Sequence, residues 1–521
     1  MRAAAACLFL CAPLFAVAAP SVLRVGNGAE PESLDPHRLQ TVTAYNIALD
    51  LYEGLTAMSP RAEPVPGAAE RWDVSADGLE YIFHLRPQLH WSNGDPLTAE
   101  DFAAGLRRSV DPATGSAYSQ VLAPIRHAED IIAGRLKPNT LGVDVLDAQT
   151  LRIVLKNPTP YMPGLLSLPM AFPVHRPSLK QYGAQFARAG RLVSNGAYRL
   201  EEWQVHSQIR LARNPQYWND RATRIDSVYF YPTEDVHSEL KRYRAGELDM
   251  TFSIPAVQAK WLRENLGAEL RIAPFLDTYY LGFNCTRVPF QNQPRLRQVL
   301  AMSLDRELIT EKVLYGLGKP AYGWVPDGVT GHASQAPVWA AWTKEKRLAE
   351  ARRLYAAEGY SAEKPLEIEI RYATNQQARR VAIVVAAMWK QYLGARVQLV
   401  NEELKVFLSD RRMRKTQVFL GNWLGDYNDA ATFTDMLSSR RGQGTTGWSN
   451  ARYEALLDRA ASEQDAAVRQ ALLEEAERIV LDETPLTPIY FDVSKHLVKP
   501  RVAGREDNVL DYHLSRYLQL H

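Results

Sequence analysis

The chain has 521 residues, of which 46% are apolar, 23% charged and 10% aromatic, so it can build a packed core and is neither disordered nor low-complexity. Lys plus Arg number 61 against 59 Asp plus Glu, for a formal net charge of +2. No basic run follows a phosphate backbone, so no nucleic acid partner is expected. At roughly 150 residues per domain, the length predicts two to four lobes.

The first residues, MRAAAACLFLCAPLFAVAAPS, place one early charge (Arg2) before an apolar stretch from Ala3 to Val17, with small residues at Ala16 and Ala18. This is the pattern of a secretory signal peptide over residues 1–18, cleaved after Ala18. Its removal takes the formal charge to +1 and leaves one cysteine, Cys285, so no intramolecular disulfide is expected in the exported protein. The longest later apolar run, Val381 to Trp389, is too short to cross a bilayer.

Further along, Val22 to Gly28 reads as a strand and turn, and Ala44 to Gly54 as a helix. The Pro- and Gly-rich residues 59–67 mark a boundary. Glu80 to Arg86 alternates Tyr81, Phe83 and Leu85 against polar neighbours, a half-buried strand, and a turn at 92–95 leads to a helix from Thr98 to Arg108 with Thr98 as its N-cap. Six prolines between 157 and 177 predict an extended crossing segment instead of a helix. In the second half, strands at 366–372, 396–400 and 417–423 alternate with helices at 376–393 and 402–411. That order predicts an α/β lobe with a largely parallel sheet and a ligand crevice beyond the strands' carboxyl ends. Asp426 falls just past such an end. A long amphipathic helical stretch is expected over 451–482.

Catalytic chemistry has no visible carrier. No nucleophile elbow or phosphate loop occurs, and the 11 histidines show no metal-ligand spacing, so neither metal nor cofactor is expected. The informative segment is Gly421 to Asp429 (GNWLGDYND), where aromatics and acids cluster at a strand end. Asp426 can hold an ammonium group, with Trp423 and Tyr427 packing beside it; the same segment also reads as an ordinary capping turn.

Trp72, Asp73, Asp77, Gly78, Tyr81, Phe83, Leu85 and Arg86, followed by Trp91-Ser92-Asn93-Gly94-Asp95-Pro96-Leu97-Thr98-Ala99-Glu100-Asp101-Phe102, resemble the signature of the large extracytoplasmic receptors of ABC importers, of the oligopeptide and murein peptide type. The likeness continues through Glu32 to His37, Ser194 to Tyr198, Tyr217 to Asn219, Tyr243 to Asp249, Tyr279-Tyr280, Pro320 to Gly323 and Leu497 to Pro500. It implies an α/β, two-lobed flytrap with an extra inserted lobe and mixed sheets flanked by helices. Residues 19–52, 186–277 and 487–521 would form lobe I, 53–185 the inserted lobe II and 278–486 lobe III.

The resemblance further implies a soluble periplasmic monomer that is not an enzyme. It would bind an oligopeptide and pass it to the membrane permease of an ABC importer. Asp426 would hold the peptide amine, while Gln40, Thr41 and Val42 on one side and Asn422, Trp423 and Leu424 on the other pair with its backbone. Tyr118, Tyr280 and Tyr490 would line the cleft. Two departures stand out. The positions matching a disulfide of some relatives are Asp277 and Leu424, and those matching basic residues that neutralise peptide carboxyl ends are Leu314, Ala378 and Leu420. A cargo with a long, modified or apolar far end is therefore expected; a non-peptide cargo such as a nickel complex, haem or glycoside is the alternative, and a secreted hydrolase a more distant one.

Overall fold

The computed structural model describes residues 20–442 and 444–521, so the expected signal peptide lies outside the described residues. Backbone pairing sorts the strands into three larger sheets. The first runs in the order Val22–Gly26, Ser227–Tyr231, Gln208–Arg213, Tyr198–Gln204, with the first pair parallel and the others antiparallel. The second is an antiparallel sheet of Ala69–Val74, Glu80–Leu85, Thr150–Val154 and Val143–Asp147. The third has six strands, ordered Lys319–Pro320, Leu486–Leu497, Leu270–Phe283, Val418–Leu424, Glu367–Ala373, Arg396–Glu402.

Two long strands tie the first sheet to the third. Leu270–Phe283 and Leu486–Leu497 run antiparallel, with regular pairing from Leu270 opposite Leu497 to Pro274 opposite Val493. The ladder then breaks and resumes at Thr278 opposite Phe491. At the far end, Val498 bridges Met250, which in turn bridges Val25 of the first sheet. A shift in register bends and twists a ribbon locally, so the break between Pro274 and Thr278 falls where one sheet hands over to the other.

Local chemistry explains most elements. Tyr81, Phe83 and Leu85 are buried on one face of their strand, as the alternation requires. The helix forms over Ala99–Val110, and the Asp101 carboxylate accepts the Thr98 N–H at 3.0 Å, which caps the first turn. Gln376–Leu393 buries Val381, Ala382, Val385, Met388 and Trp389, so the longest apolar run of the later chain is a core helix face. Glu367–Ala373 pairs in parallel with both Arg396–Glu402 and Val418–Leu424, but the long strands make the whole sheet mixed.

Two expectations need correction. The proline-rich segment is not extended throughout: Pro163 sits in the first turn of a short helix, Met162–Leu165, where its missing N–H costs nothing, and Arg176–Tyr182 is helical from the segment's end. The stretch 451–482 is two helices, Ala451–Ser462 and Ala466–Glu483, because Asp465 accepts the N–H groups of Ala467 and Val468 and starts a new helix.

Several sequence landmarks are structural ties. Asp35 receives both terminal nitrogens of Arg108, at 2.8 and 2.6 Å. Asn195 exchanges hydrogen bonds with the Glu53 backbone. The Glu53 carboxylate, only 2% exposed, accepts from Tyr217 Oη, Trp218 Nε1 and Arg516 Nη1 at 2.7, 2.7 and 2.6 Å. This buried ion pair joins Arg516, near the C-terminus, to residues more than 290 positions earlier. Replacing Arg516→Met strands the Glu53 charge and is expected to lower unfolding free energy by about 3 to 5 kcal/mol in urea titrations. The double replacement Glu53→Gln with Arg516→Met is expected to recover a large part of that loss.

Candidate functional site

The strand Val418–Leu424 is paired on one edge along its whole length, from Phe283 opposite Val418 to Asp277 opposite Leu424. On its other edge the parallel neighbour reaches only Leu420, opposite Tyr372. Gly421 to Leu424 therefore carry an open strand edge. Beyond it the chain turns at Gly425, whose N–H donates to Leu276 O at 2.7 Å. A Cβ at this glycine would press within 3.1 to 3.2 Å of Phe433, Leu276 and Thr432, so the turn passes where a side chain has no room.

The two acids after this turn have different fates. Asp429 is consumed by structure, receiving Arg469 Nη1 and Nη2 at 2.7 and 2.8 Å and the Ala431 N–H at 2.8 Å. Asp426 is held through its backbone, whose N–H donates to Thr432 Oγ1 at 3.2 Å. Its carboxylate makes no ion pair or hydrogen bond among the described residues, and burial alone pushes its pKa up to about 6. It is surrounded by phenols: burial, and after it the Asp426 charge, raises the titration of Tyr118 and Tyr512. The same charge acts more weakly on Tyr45, which burial and the neighbouring tyrosines Tyr512 and Tyr118 hold well above the ordinary tyrosine range. Tyr45 and Tyr512 stack with centroids 6.4 Å apart.

Across from the open edge, Thr41 is extended and precedes the helix Val42–Leu51. Glu32 accepts the N–H groups of Gln40 and Thr41, and the Thr41 carbonyl accepts from the Tyr45 N–H at 3.1 Å. In extended backbone the carbonyl of one residue and the N–H two positions on share an edge. Gln40 O and Val42 N share the edge that Glu32 does not occupy, and neither has a partner among the described residues. Val42, Leu424, Gly425 and Tyr512 line one cavity of about 270 Å³.

The remaining expected residues are distributed as follows. Asn422 is exposed and donates to both oxygens of Asp277, at 3.0 and 3.2 Å. Trp423 is half-buried, and its Nε1–H is buried with no acceptor among the described residues. Tyr427 stacks on Tyr161 at 4.7 Å, joining the loop to the proline-rich segment.

Two tyrosines need correction. Tyr280 is 2% exposed and wedged edge-on against Trp324 and Phe419 at 5.0 and 5.9 Å, so here it packs the core. Its alternate-face neighbour Tyr279 instead stacks on Tyr490 at 4.5 Å. Tyr490 is fully buried, and its hydroxyl accepts from Gln377 Nε2 at 2.8 Å. Leu314, Leu420 and Ala378 belong to this same apolar cluster. Tyr45 and Tyr512 went unforeseen, because an aromatic on a helix or in a loop carries no pattern that separates it from core.

The fold and this cleft define a solute receptor. Residues 63–445 match the profile of the bacterial extracellular solute-binding proteins, family 5 Middle, and the chain belongs to that family. It is 37% identical over 481 residues to the periplasmic oligopeptide-binding protein OppA of Escherichia coli, covering 92% of this chain and 88% of that one. It is also 37% identical over 520 residues to the probable deoxycholate-binding periplasmic protein YgiS of Escherichia coli, covering 98% and 97%. Among solved structures, Haemophilus influenzae OppA in complex with RPPGFSPFR superposes with a TM-score of 0.82 at 35% identity, covering 96% of this chain and 99% of that one. The architecture is the two-lobed, mixed α/β one of these receptors.

The raised Asp426 pKa has a stability consequence. A carboxyl that titrates near 6 when folded and near 3.8 when unfolded favours the fold below pH 3.8 and loses that contribution as pH rises through 6. The ionised form therefore costs the ligand-free protein about 3 kcal/mol at pH 7.5. Asp426→Asn is expected to raise its unfolding free energy by about that amount at pH 7.5, with the gain disappearing as the pH approaches 4, in paired denaturant titrations.

Proposed function

We propose that the protein is a periplasmic receptor that holds oligopeptides by their α-amino group and main chain and delivers them, unaltered, to an ABC importer. The observation that carries this reading is the Asp426 carboxylate, largely shut off from water with no cation of its own. A group in that state is most strongly relieved by an incoming ammonium. The open strand edge at Gly421 to Leu424 and the unoccupied edge groups of Gln40 and Val42 are the complementary donors and acceptors for an extended backbone, a contact blind to side-chain identity. Peptide binding in the names of OppA and of its RPPGFSPFR complex is the same chemistry.

The grouping of strands supports a division into three lobes. All strands of the second sheet fall within 53–185, those of the first within 19–52 and 186–277, and the two long strands straddle the boundaries at 277 and 486. A peptide touching Val42 and Leu424 at once stabilises the closed arrangement by its differential affinity. The N-terminal export pattern and the periplasmic names of its relatives support the location. Among the described residues no helix is long and apolar enough to cross a membrane.

Asp426→Ala is expected to weaken free-amine peptides by about 3 to 5 kcal/mol in calorimetry, because it strands a buried ammonium. N-acetylated peptides should bind weakly to both forms. Unchanged affinity removes Asp426 from the site, and deoxycholate binding tighter than any free-amine peptide replaces the reading with that of a steroid receptor. Mass spectrometry of the recovered cargo checks that it returns intact. With Leu314, Ala378 and Leu420 apolar, converting a peptide's C-terminal carboxylate to its amide should change affinity by less than tenfold, or about 1.4 kcal/mol.

A further inference from the structure

The histidines show no metal-ligand spacing along the sequence, yet the fold gathers two of them around one aspartate at the cleft. His496 lies on the long strand Leu486–Leu497, and Asp511 and His513 lie in the C-terminal segment that folds back over it. His496 Nε2 is 2.8 and 2.9 Å from the two Asp511 oxygens, and His513 Nε2 is 3.0 Å from Asp511 Oδ1. One ligand atom from each residue lies within 4.8 Å of the other two, and all three residues line the 270 Å³ cavity.

The supporting contacts are those a metal site uses. His496 Nδ1 is 2.9 Å from the Thr251 carbonyl. A carbonyl only accepts, so Nδ1 carries a proton, and the Asp511 carboxylate is an acceptor too, so Nε2–H donates to it; a metal ion would take the place of that Nε2 proton while the Thr251 contact keeps the ring oriented. Ser494 Oγ donates to Asp511 Oδ1 at 2.6 Å and orients the carboxylate. Asp511 itself is held at φ +58°, a left-handed conformation unfavourable for a residue with a Cβ, which delivers its side chain between the two rings.

One group opposes a cation. Arg505 Nη2 is 2.9 Å from His513 Nε2 and uses the lone pair that a metal needs. Arg505 is itself buried, its side chain 3% exposed and its Nη1 paired with Asp507, so a bound ion must displace a guanidinium held through both terminal nitrogens.

We propose that His496, Asp511 and His513 form a site for a divalent transition metal of the zinc class, with its remaining coordination open to the cleft cavity. Two imidazoles and a carboxylate suit zinc, whereas magnesium and calcium favour all-oxygen sets. The histidine and aspartate ligand atoms, 2.8 to 3.0 Å apart, need to part by about half an ångström to reach the roughly 2.0 to 2.2 Å bonds of zinc, and the ion displaces Arg505 from His513. The site uses residues other than Asp426 but opens into the cavity that Val42 and Leu424 also line, so the metal is titrated without peptide.

The test uses the untagged exported chain, stripped with chelator and titrated with Co²⁺ and then Zn²⁺ in the absence of peptide. One equivalent of Co²⁺ should develop the visible bands of a four- or five-coordinate ion, and Zn²⁺ should bleach them. His513→Ala and Asp511→Asn should weaken Zn²⁺ by roughly tenfold or more, Arg505→Gln should tighten it severalfold, and Asp426→Ala should leave it unchanged. No saturable one-equivalent Co²⁺ spectrum in the wild-type chain overturns the site without reference to any variant. A His513→Ala chain that melts like wild type and keeps full zinc affinity overturns it equally.

Discussion

The antiparallel pairing of Leu270–Phe283 with Leu486–Leu497 is the constraint from which the binding region follows. These strands lie in the six-stranded sheet, and Val498, just past the end of the second, bridges through Met250 to the first sheet, so an element paired to them is fixed relative to both. Val418–Leu424 is such an element, and its outer edge is left bare because Glu367–Ala373 stops pairing at Leu420. The open edge is thus placed by backbone hydrogen bonds, which are short-ranged and directional, and the turn that follows is held by the Gly425 N–H on Leu276 O and the Asp426 N–H on Thr432 Oγ1.

Around that frame some of the buried acids are paired with a cation and others are not. Asp35, Glu53 and Asp429 each meet an arginine. Asp277 is buried with only the Asn422 amide as donor, and burial, with Asp492 nearby, lifts its pKa to about 7. Asp426 is half-buried, as Asp429 is, but lacks a cation partner among the described residues. An uncompensated buried charge is maintained at a cost to stability, and proteins tolerate that cost where binding removes it.

The sequence made the local elements and the cleft's chemistry readable for a definite reason. Period-2 alternation at Tyr81, Phe83 and Leu85 and helical spacing over 376–393 are signals each segment carries alone. The GNWLGDYND segment makes Asp426 a candidate because aromatics and acids cluster there at a strand end, while the same segment also reads as a capping turn. Tyr280 was misplaced because neighbouring tyrosines at 279 and 280 face opposite sides of a strand, and the sequence does not say which side is core. The break between the helices at 462 and 466 was hidden by continuous apolar spacing, which outweighed a single capping aspartate. His496, Asp511 and His513 were invisible for a third reason: they meet only because the C-terminal segment folds back, a tertiary event without local trace.

Asp277 and Leu424 sit directly opposite one another in the ladder, at the positions that the family resemblance matches to a disulfide of some relatives. Here the strand pairing does that work, and the described residues hold a single thiol, Cys285, whose pKa burial raises to about 11. Among the described residues no second thiol stands beside Cys285, so the strand pairing at the cleft forms without a disulfide. Shifts in the thiol–disulfide poise of its surroundings find nothing in the cleft to act on, so the receptor's grip is set by protons and ligand rather than by redox state.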